Sequence, residues 1–259
     1  MPLPGVVARL EAVSNEMSKA EEATMSDTRS TPGVRMRTTP VKVHRPMLRG
    51  LAEKIKPQHC ALIIIDVLND FCAPGGMVSK EGGDLTFVQA LVPRLKRLID
   101  AARAAGVFVV FVRNVYSTDE NWYLSDVWIE QASRRRNGEV FTKWDGCPPN
   151  SWQNDFYDPV RPLPSEPIVV KHRYNAFYNT DLDLLLKGHG IRTIITTGIS
   201  TNICVETTAR EGFIRDYYVV FPSDGTACYA QPSHDATLRV INSHFGEVVT
   251  VDQIIEAWR

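Results

Sequence analysis

The 259-residue sequence has no excess of either charge: 29 lysines and arginines stand against 30 aspartates and glutamates, a formal net charge of −1. A surface that holds nucleic acid or an anionic bilayer needs a basic surplus, so the balance argues against both as partners. Long apolar runs are missing too. Runs such as Ala61–Ile65 fall far short of the roughly 20 residues that cross a bilayer. No basic stretch followed by an apolar one opens the chain, so no secretory leader is read and a cytoplasmic location is expected. Cysteine is sparse and unpaired in pattern. Cys60, Cys72, Cys147, Cys204 and Cys228 are widely spread, odd in number and form no CxxC. That spacing excludes a dense disulfide framework and a structural zinc site of paired cysteines. The six histidines are scattered, and neither a metal nor a cofactor is expected. What remains is a chain long enough to bury a large core without staples, suited to a small-molecule partner.

Residues 1–45 are rich in Ser, Thr, Glu, Met and Arg and lack a sustained apolar pattern. They read as an N-terminal extension, with a short amphipathic helix over 5–24 and a linker over 26–40. Residues 46–259 read as one domain. Within it, short aliphatic runs alternate with helical spacing. Strands are expected at Ala61–Asp66, Val107–Arg113, Ile168–Lys171, Thr193–Thr197, Tyr217–Phe221 and Val248–Val251. Helices are expected at Thr86–Ala105 with Gly106 as its C-cap, at Asp181–Lys187 closed by Gly188, and over 202–216 and 233–245. Strand–helix alternation implies parallel crossovers, and hence an α/β fold of three layers, α/β/α, around a central, mostly parallel sheet. The long segment 114–167 breaks the rhythm and holds four of the five tryptophans, Trp122, Trp128, Trp144 and Trp152. It reads as a lid or a subunit contact. The Arg134-Arg135-Arg136 run within it reads as a solvated face.

Ligands of such sheets sit at the carboxyl ends of the strands. Three reactive residue types fall there. Cys204 follows a strand, a turn and a helix start at which Thr201 or Asn202 would cap. At a helix N-terminus the unpaired N–H groups stabilise a thiolate, so a depressed cysteine pKa is expected. The other four cysteines read as small buried hydrophobes. Asp66, directly after Ile63-Ile64-Ile65, is either a general base or a cap for the following turn. Lys171, directly after Ile168-Val169-Val170, either snorkels to solvent or faces the ligand edge. Converging, they would make a nucleophile, a base and a cation.

The run Ala61–Asp66 followed by Asn69-Asp70-Phe71, then Lys171, then Thr197-Gly198-Ile199-Ser200-Thr201-Asn202-Ile203-Cys204-Val205-Glu206-Thr207-Thr208-Ala209-Arg210-Glu211 resembles the isochorismatase-like cysteine hydrolase superfamily. The resemblance covers roughly residues 58–251. It implies an Asp66–Lys171–Cys204 triad, a non-proline cis peptide between Ile199 and Ser200, and an oxyanion hole made by the backbone N–H groups of Ser200 and Cys204. Isochorismatases proper lack the cysteine. Nicotinamidases carry an Asp-x-His metal site after the second strand, where this chain has Arg113-Asn114-Val115-Tyr116. Lys171-His172-Arg173-Tyr174 and Phe177–Asp183 are most similar to ureidoacrylate amidohydrolases. That likeness implies substrate contacts from Asn114, Tyr116 and Tyr174, with Tyr116 standing where that family has Trp. The implied activity is hydrolysis of a linear amide or ureido C–N bond through a covalent Cys204 intermediate, in a homodimer or homotetramer. Other ureido or carbamoyl substrates (biuret, triuret, N-carbamoyl amino acids) are the alternative. Rivals of another class are a peroxidatic thiol protein, with Cys228 24 positions after Cys204, and an idle scaffold.

Overall fold

β-branched side chains suit a pleated surface covered on both faces, and the aliphatic runs accordingly pair edge to edge. The computed structural model describes residues 43–116, 122–134 and 146–259. The expected helix over 5–24 and linker over 26–40 lie outside the described residues, as do Arg135, Arg136 and Trp144. Seven strands are present among the described residues: β1 (Cys60–Ile65), β2 (Phe108–Asn114), β3 (Ile168–Lys171), β4 (Thr193–Ile199), β5 (Tyr218–Pro222), β6 (Thr226–Ala227) and β7 (Glu247–Val249). They lie in the order β3-β2-β1-β4-β5-β7, with β6 beside β4, and each of these pairings is parallel. The helices are α1 (Gly50–Lys54), α2 (Asn69–Cys72), α3 (Met77–Lys80), α4 (Thr86–Ala105), α5 (Asp126–Arg134), α6 (Leu182–Gly188), α7 (Glu206–Ile214), α8 (Gln231–Val240) and α9 (Val251–Ala257).

Alternation along each strand divides the core between two faces. Leu62 and Ile64 of β1 pack with Leu91, Leu95 and Leu98 of α4 and Ile254 of α9. Ala61, Ile63 and Ile65 face the other way, onto Leu182 and Leu186 of α6 and Ala209 of α7. The result is the expected α/β/α sandwich. Because the chain runs from β1 to β2 and β3 on one side, and β4 onward lies on the other, the order reverses between β1 and β4. A crevice opens there at the carboxyl edge.

Several boundaries differ from the sequence expectations for local reasons. α4 spans Thr86–Ala105 with Gly106 at φ 75° as its left-handed C-cap, as its periodicity predicts. α6, however, includes Gly188, and the left-handed turn falls on Gly190 at φ 67°. The helix expected over 202–216 is two pieces, a π-helical turn at Thr201–Val205 followed by α7. Likewise α8 begins at Gln231, with Pro232 in its first turn, and passes into a π-helical turn at Ile241–Phe245. The final strand stops at Val249, because Thr250 caps α9 through a reciprocal bond with Gln253. The segment 114–167 contains the helix α5 and is not a single loop.

At the carboxyl edge of the sheet, close approach requires glycine at position 198. Gly198 pairs with Ile65 in register, has φ 103°, and a Cβ built on it would lie 2.1 Å from the Ile65 carbonyl oxygen. Gly190 shares the positive φ but has open space around it. Gly198→Ala should therefore cost at least about 2 kcal/mol more than Gly190→Ala, since it adds a backbone overlap to the conformational strain both share. Urea denaturation midpoints of the two variants measure the difference.

Candidate active site

β3 ends on Lys171 and β1 ends one residue before Asp66, with β2 between them in the sheet. Asp66 itself is left-handed, at φ 54°, a conformation that aspartate tolerates better than bulkier residues. Its backbone N–H still donates to the Val112 carbonyl of β2 at 3.0 Å, and its carboxylate meets the lysine: Asp66 Oδ2 lies 2.7 Å from Lys171 Nζ. Both side chains are buried, with 1% and 0% exposure. Lys171 thus faces the ligand edge and does not snorkel, and Asp66 is not a simple turn cap. The same Nζ donates to the Arg173 carbonyl at 3.1 Å and to Cys204 Sγ at 3.6 Å. The ammonium group thus makes two hydrogen bonds and one close ion pair.

Cys204 arrives from the far side of the crevice. The Ile199–Ser200 peptide ending β4 is cis, and the chain then enters the π-helical turn that carries Cys204. Neither expected cap operates. Asn202 instead accepts from the Ser200 hydroxyl at 3.2 Å, and the Thr201 hydroxyl pairs with His234 Nδ1 at 2.9 Å. The turn is fixed from outside. Thr208 donates to the Cys204 carbonyl at 2.7 Å and accepts from the Ala176 backbone N–H at 3.0 Å, which ties the cysteine to the segment following Lys171.

The expected depression of the cysteine pKa is overturned. Burial pushes the Cys204 thiol up to about 12; Lys171 pulls it down, and Asp66, which its S–H hydrogen-bonds, raises it further. Desolvation outweighs the helix-end effect, and the resting sulfur carries its proton at neutral pH. Asp66 is raised by burial, against the opposing pull of Lys171 and of hydrogen bonds from Cys204 and the Asn114 backbone. For Lys171, burial works against the charge, but Asp66 and Cys204 outweigh it and the net direction is upward. Cys60 and Cys72 are raised by burial, as is Cys147. All five cysteines are free thiols.

A cavity of about 370 Å³ opens onto this group, lined among others by Asp66, Ser200, Cys204, Tyr116, Trp128 and Tyr174. Tyr229 adds a further wall, its hydroxyl held by the Phe71 carbonyl at 3.0 Å. Asn114 is not on the cavity wall. It is fully buried, its backbone carbonyl accepts from Asn154 at 2.6 Å, and its side-chain amide has no hydrogen-bond partner. Behind the wall, Asp70 accepts from the backbone N–H groups of Met77 and Cys147, at 3.0 and 2.6 Å. A second depression, of about 470 Å³, lies at the amino edge of the sheet beside Phe108 and Pro167; its Arg103 is already bound to Glu166. Among the described residues, no group of three or more His, Cys, Asp or Glu is placed to hold a metal ion. No helix among them is long and apolar enough to cross a membrane.

Sequence reasoning singled out Asp66, Lys171, Cys204, Tyr116 and Tyr174; the structure places four of them on one cavity wall, with Lys171 buried behind Asp66 and Cys204. It passed over Trp128 and Tyr229. Trp128 belongs to a helix hidden in the irregular segment, and Tyr229 follows β6, a two-residue strand without a periodic signal.

The profile of the isochorismatase domain matches residues 60–253. The chain belongs to the isochorismatase family. Relatives of this isochorismatase-family chain include the ureidoacrylate amidohydrolase RutB of Serratia proteamaculans, 33% identical over 207 residues, which cover 76% of this chain and 81% of that protein. The ureidoacrylate amidohydrolase RutB of Agrobacterium fabrum is 31% identical over 76% of this chain and 89% of its own length. A cysteine hydrolase from Pseudomonas syringae pv. phaseolicola superposes with a TM-score of 0.68 at 27% identity, covering 83% of this chain and 98% of that one.

Two outcomes follow from the ion pair and the raised thiol. Lys171→Met leaves a buried carboxylate without its countercharge and should destabilise the protein by about 3–5 kcal/mol, much of which a second change, Asp66→Asn, restores; denaturant titration of both variants checks this. Because only the thiolate is alkylated, the iodoacetamide rate at Cys204, followed on its peptide by mass spectrometry, should rise about tenfold per pH unit from pH 7 to 10. A plateau below pH 9 would contradict a thiol held near 12.

Proposed function

We propose that this isochorismatase-family protein is a cysteine-dependent amidohydrolase that cleaves the C–N bond of a small linear amide or ureido compound. The observation that carries the reading is the contact of Lys171 Nζ with both Asp66 Oδ2 and Cys204 Sγ, at 2.7 and 3.6 Å, at the base of a cavity. A protonated sulfur and a carboxylate of raised pKa, both beside one lysine ammonium, suit a base-activated nucleophile.

In the first half-reaction Asp66 takes the thiol proton as Sγ attacks the substrate carbonyl carbon. The new C–S bond places negative charge on the carbonyl oxygen, which accepts from the backbone N–H groups of Ser200 and Cys204. Such donors are worth about 3–4 kcal/mol each when aimed at the developing oxyanion. The C–N bond then breaks, and the proton held by Asp66 passes to the leaving nitrogen. A thioester remains, or a thiocarbamate when the substrate is a urea. In the second half, Asp66 takes a proton from water, the hydroxide adds to the carbonyl carbon, and collapse breaks the C–S bond to release the acid, with the Asp66 proton returning to the Cys204 sulfur. Lys171 stays charged throughout and holds Asp66 and the sulfur in place. The substrate is ureidoacrylate or a close ureido compound, supported by the relatives named for that activity. Tyr116 and Tyr174 form the wall that receives it, and the unpartnered amide of Asn114 lies within the same strand end.

Cys204→Ala should lower kcat by roughly 10⁴-fold or more while the far-ultraviolet spectrum and melting temperature stay near those of the parent. Substrate added to the parent and quenched in acid should add the acyl mass to the Cys204 peptide. Turnover retained by Cys204→Ala would overturn the reading, and an oxidised Cys204 disulfide in place of the acyl adduct would favour a redox protein.

A further inference from the structure

Trp128 enters the cavity wall from α5, between the two tyrosines. Its ring centroid lies 5.1 Å from that of Tyr116 and 4.7 Å from that of Tyr174, tilted at 45° and 48°. The Arg173 guanidinium sits 5.6 Å from the indole ring. The backbone around it is fixed by short links: Arg173 donates to the Tyr123 carbonyl at 2.7 Å, and His172, stacked on Tyr123, bonds the Val115 carbonyl. Yet the indole Nε1 is buried and has no hydrogen-bond partner. An indole nitrogen can only donate, and a buried donor without an acceptor is costly, so proteins rarely leave one. Among the described residues lining the cavity, none is Lys, Arg or His.

We propose that Trp128 is a specificity-determining residue: its indole N–H receives a carbonyl or carboxylate oxygen on the part of a flat ureido substrate remote from the scissile bond. This deepens, and rests on, the amidohydrolase reading. The three tilted rings of Tyr116, Trp128 and Tyr174 offer faces for a planar, conjugated group. The guanidinium beside the indole favours a negatively polarised oxygen at that point. Substrates with both features, a flat skeleton and a distal oxygen acceptor, fit this wall; alkyl ureas offer neither. Trp128 does not touch the reacting atoms, and its part is selection.

The experiment compares Trp128→Phe, which keeps a ring and removes the donor, with the parent on ureidoacrylate and on propylurea. The ratio of kcat/KM for ureidoacrylate to that for propylurea should fall about tenfold or more, mainly through KM for ureidoacrylate. A ratio preserved in Trp128→Phe would overturn the proposal, because a side chain that only packs the wall would affect both substrates alike. A second measurement does not depend on turnover. In the full-length Cys204→Ala protein with ¹⁵N-labelled indoles, the Trp128 N–H resonance, assigned through its loss in Trp128→Phe, should move downfield on adding ureidoacrylate. It should not do so with propylurea. If the parent hydrolyses neither compound, the amidohydrolase reading fails while this shift still decides the role of Trp128; absence of the shift overturns it.

Discussion

A lysine ammonium buried to zero exposure is the constraint around which the rest is arranged. Removing such a charge from water is expensive, and only close, complete pairing makes it tolerable. The fold meets that demand with atoms from three places: a carboxylate beyond the end of β1, a carbonyl just after β3, and a sulfur beyond β4. Each supplier has its own support. The left-handed Asp66 needs the backbone proximity that a side-chain-free Gly198 permits, and the sulfur is carried by the π-helical turn after β4. The parallel sheet, with its order reversing between β1 and β4, is the scaffold that makes such a convergence possible.

The sheet was largely readable in the chain because its central strands are covered on both faces. Near-continuous apolar runs such as Cys60–Ile65 and Phe108–Val112 stand out against amphipathic helices such as α4. Legibility failed where structure depends on distant contacts. β6 is two residues long and exists only because β4 lies beside it. The boundary between the π-helical turn and α7 is decided by tertiary links such as Thr208 to Ala176, which no local propensity encodes. The reactive residues were visible by type and by position at strand ends. The electrostatic state of one of them was not: a helix-start argument gives a lowered thiol pKa, whereas full burial, a tertiary property, raises it.

The aromatic wall obeys different physics from the buried ion pair. Tyr116, Trp128 and Tyr174 hold one another by tilted ring contacts, on elements joined through His172 and Arg173. Such contacts are individually modest and geometrically permissive. The charged group at the base, by contrast, has defined donors and acceptors and little tolerance for displacement.

Thr208 gives that contrast a mechanical meaning. One hydroxyl grips the Cys204 carbonyl and the Ala176 amide together, so the segments bearing the sulfur and following the ammonium are cross-braced independently of the rings above them. Ring positions can be exchanged to admit other molecules while the spacing of sulfur and ammonium stays the same. The scaffold thereby separates the buried charged group from the aromatic wall above it, and one can be retuned without redesigning the other.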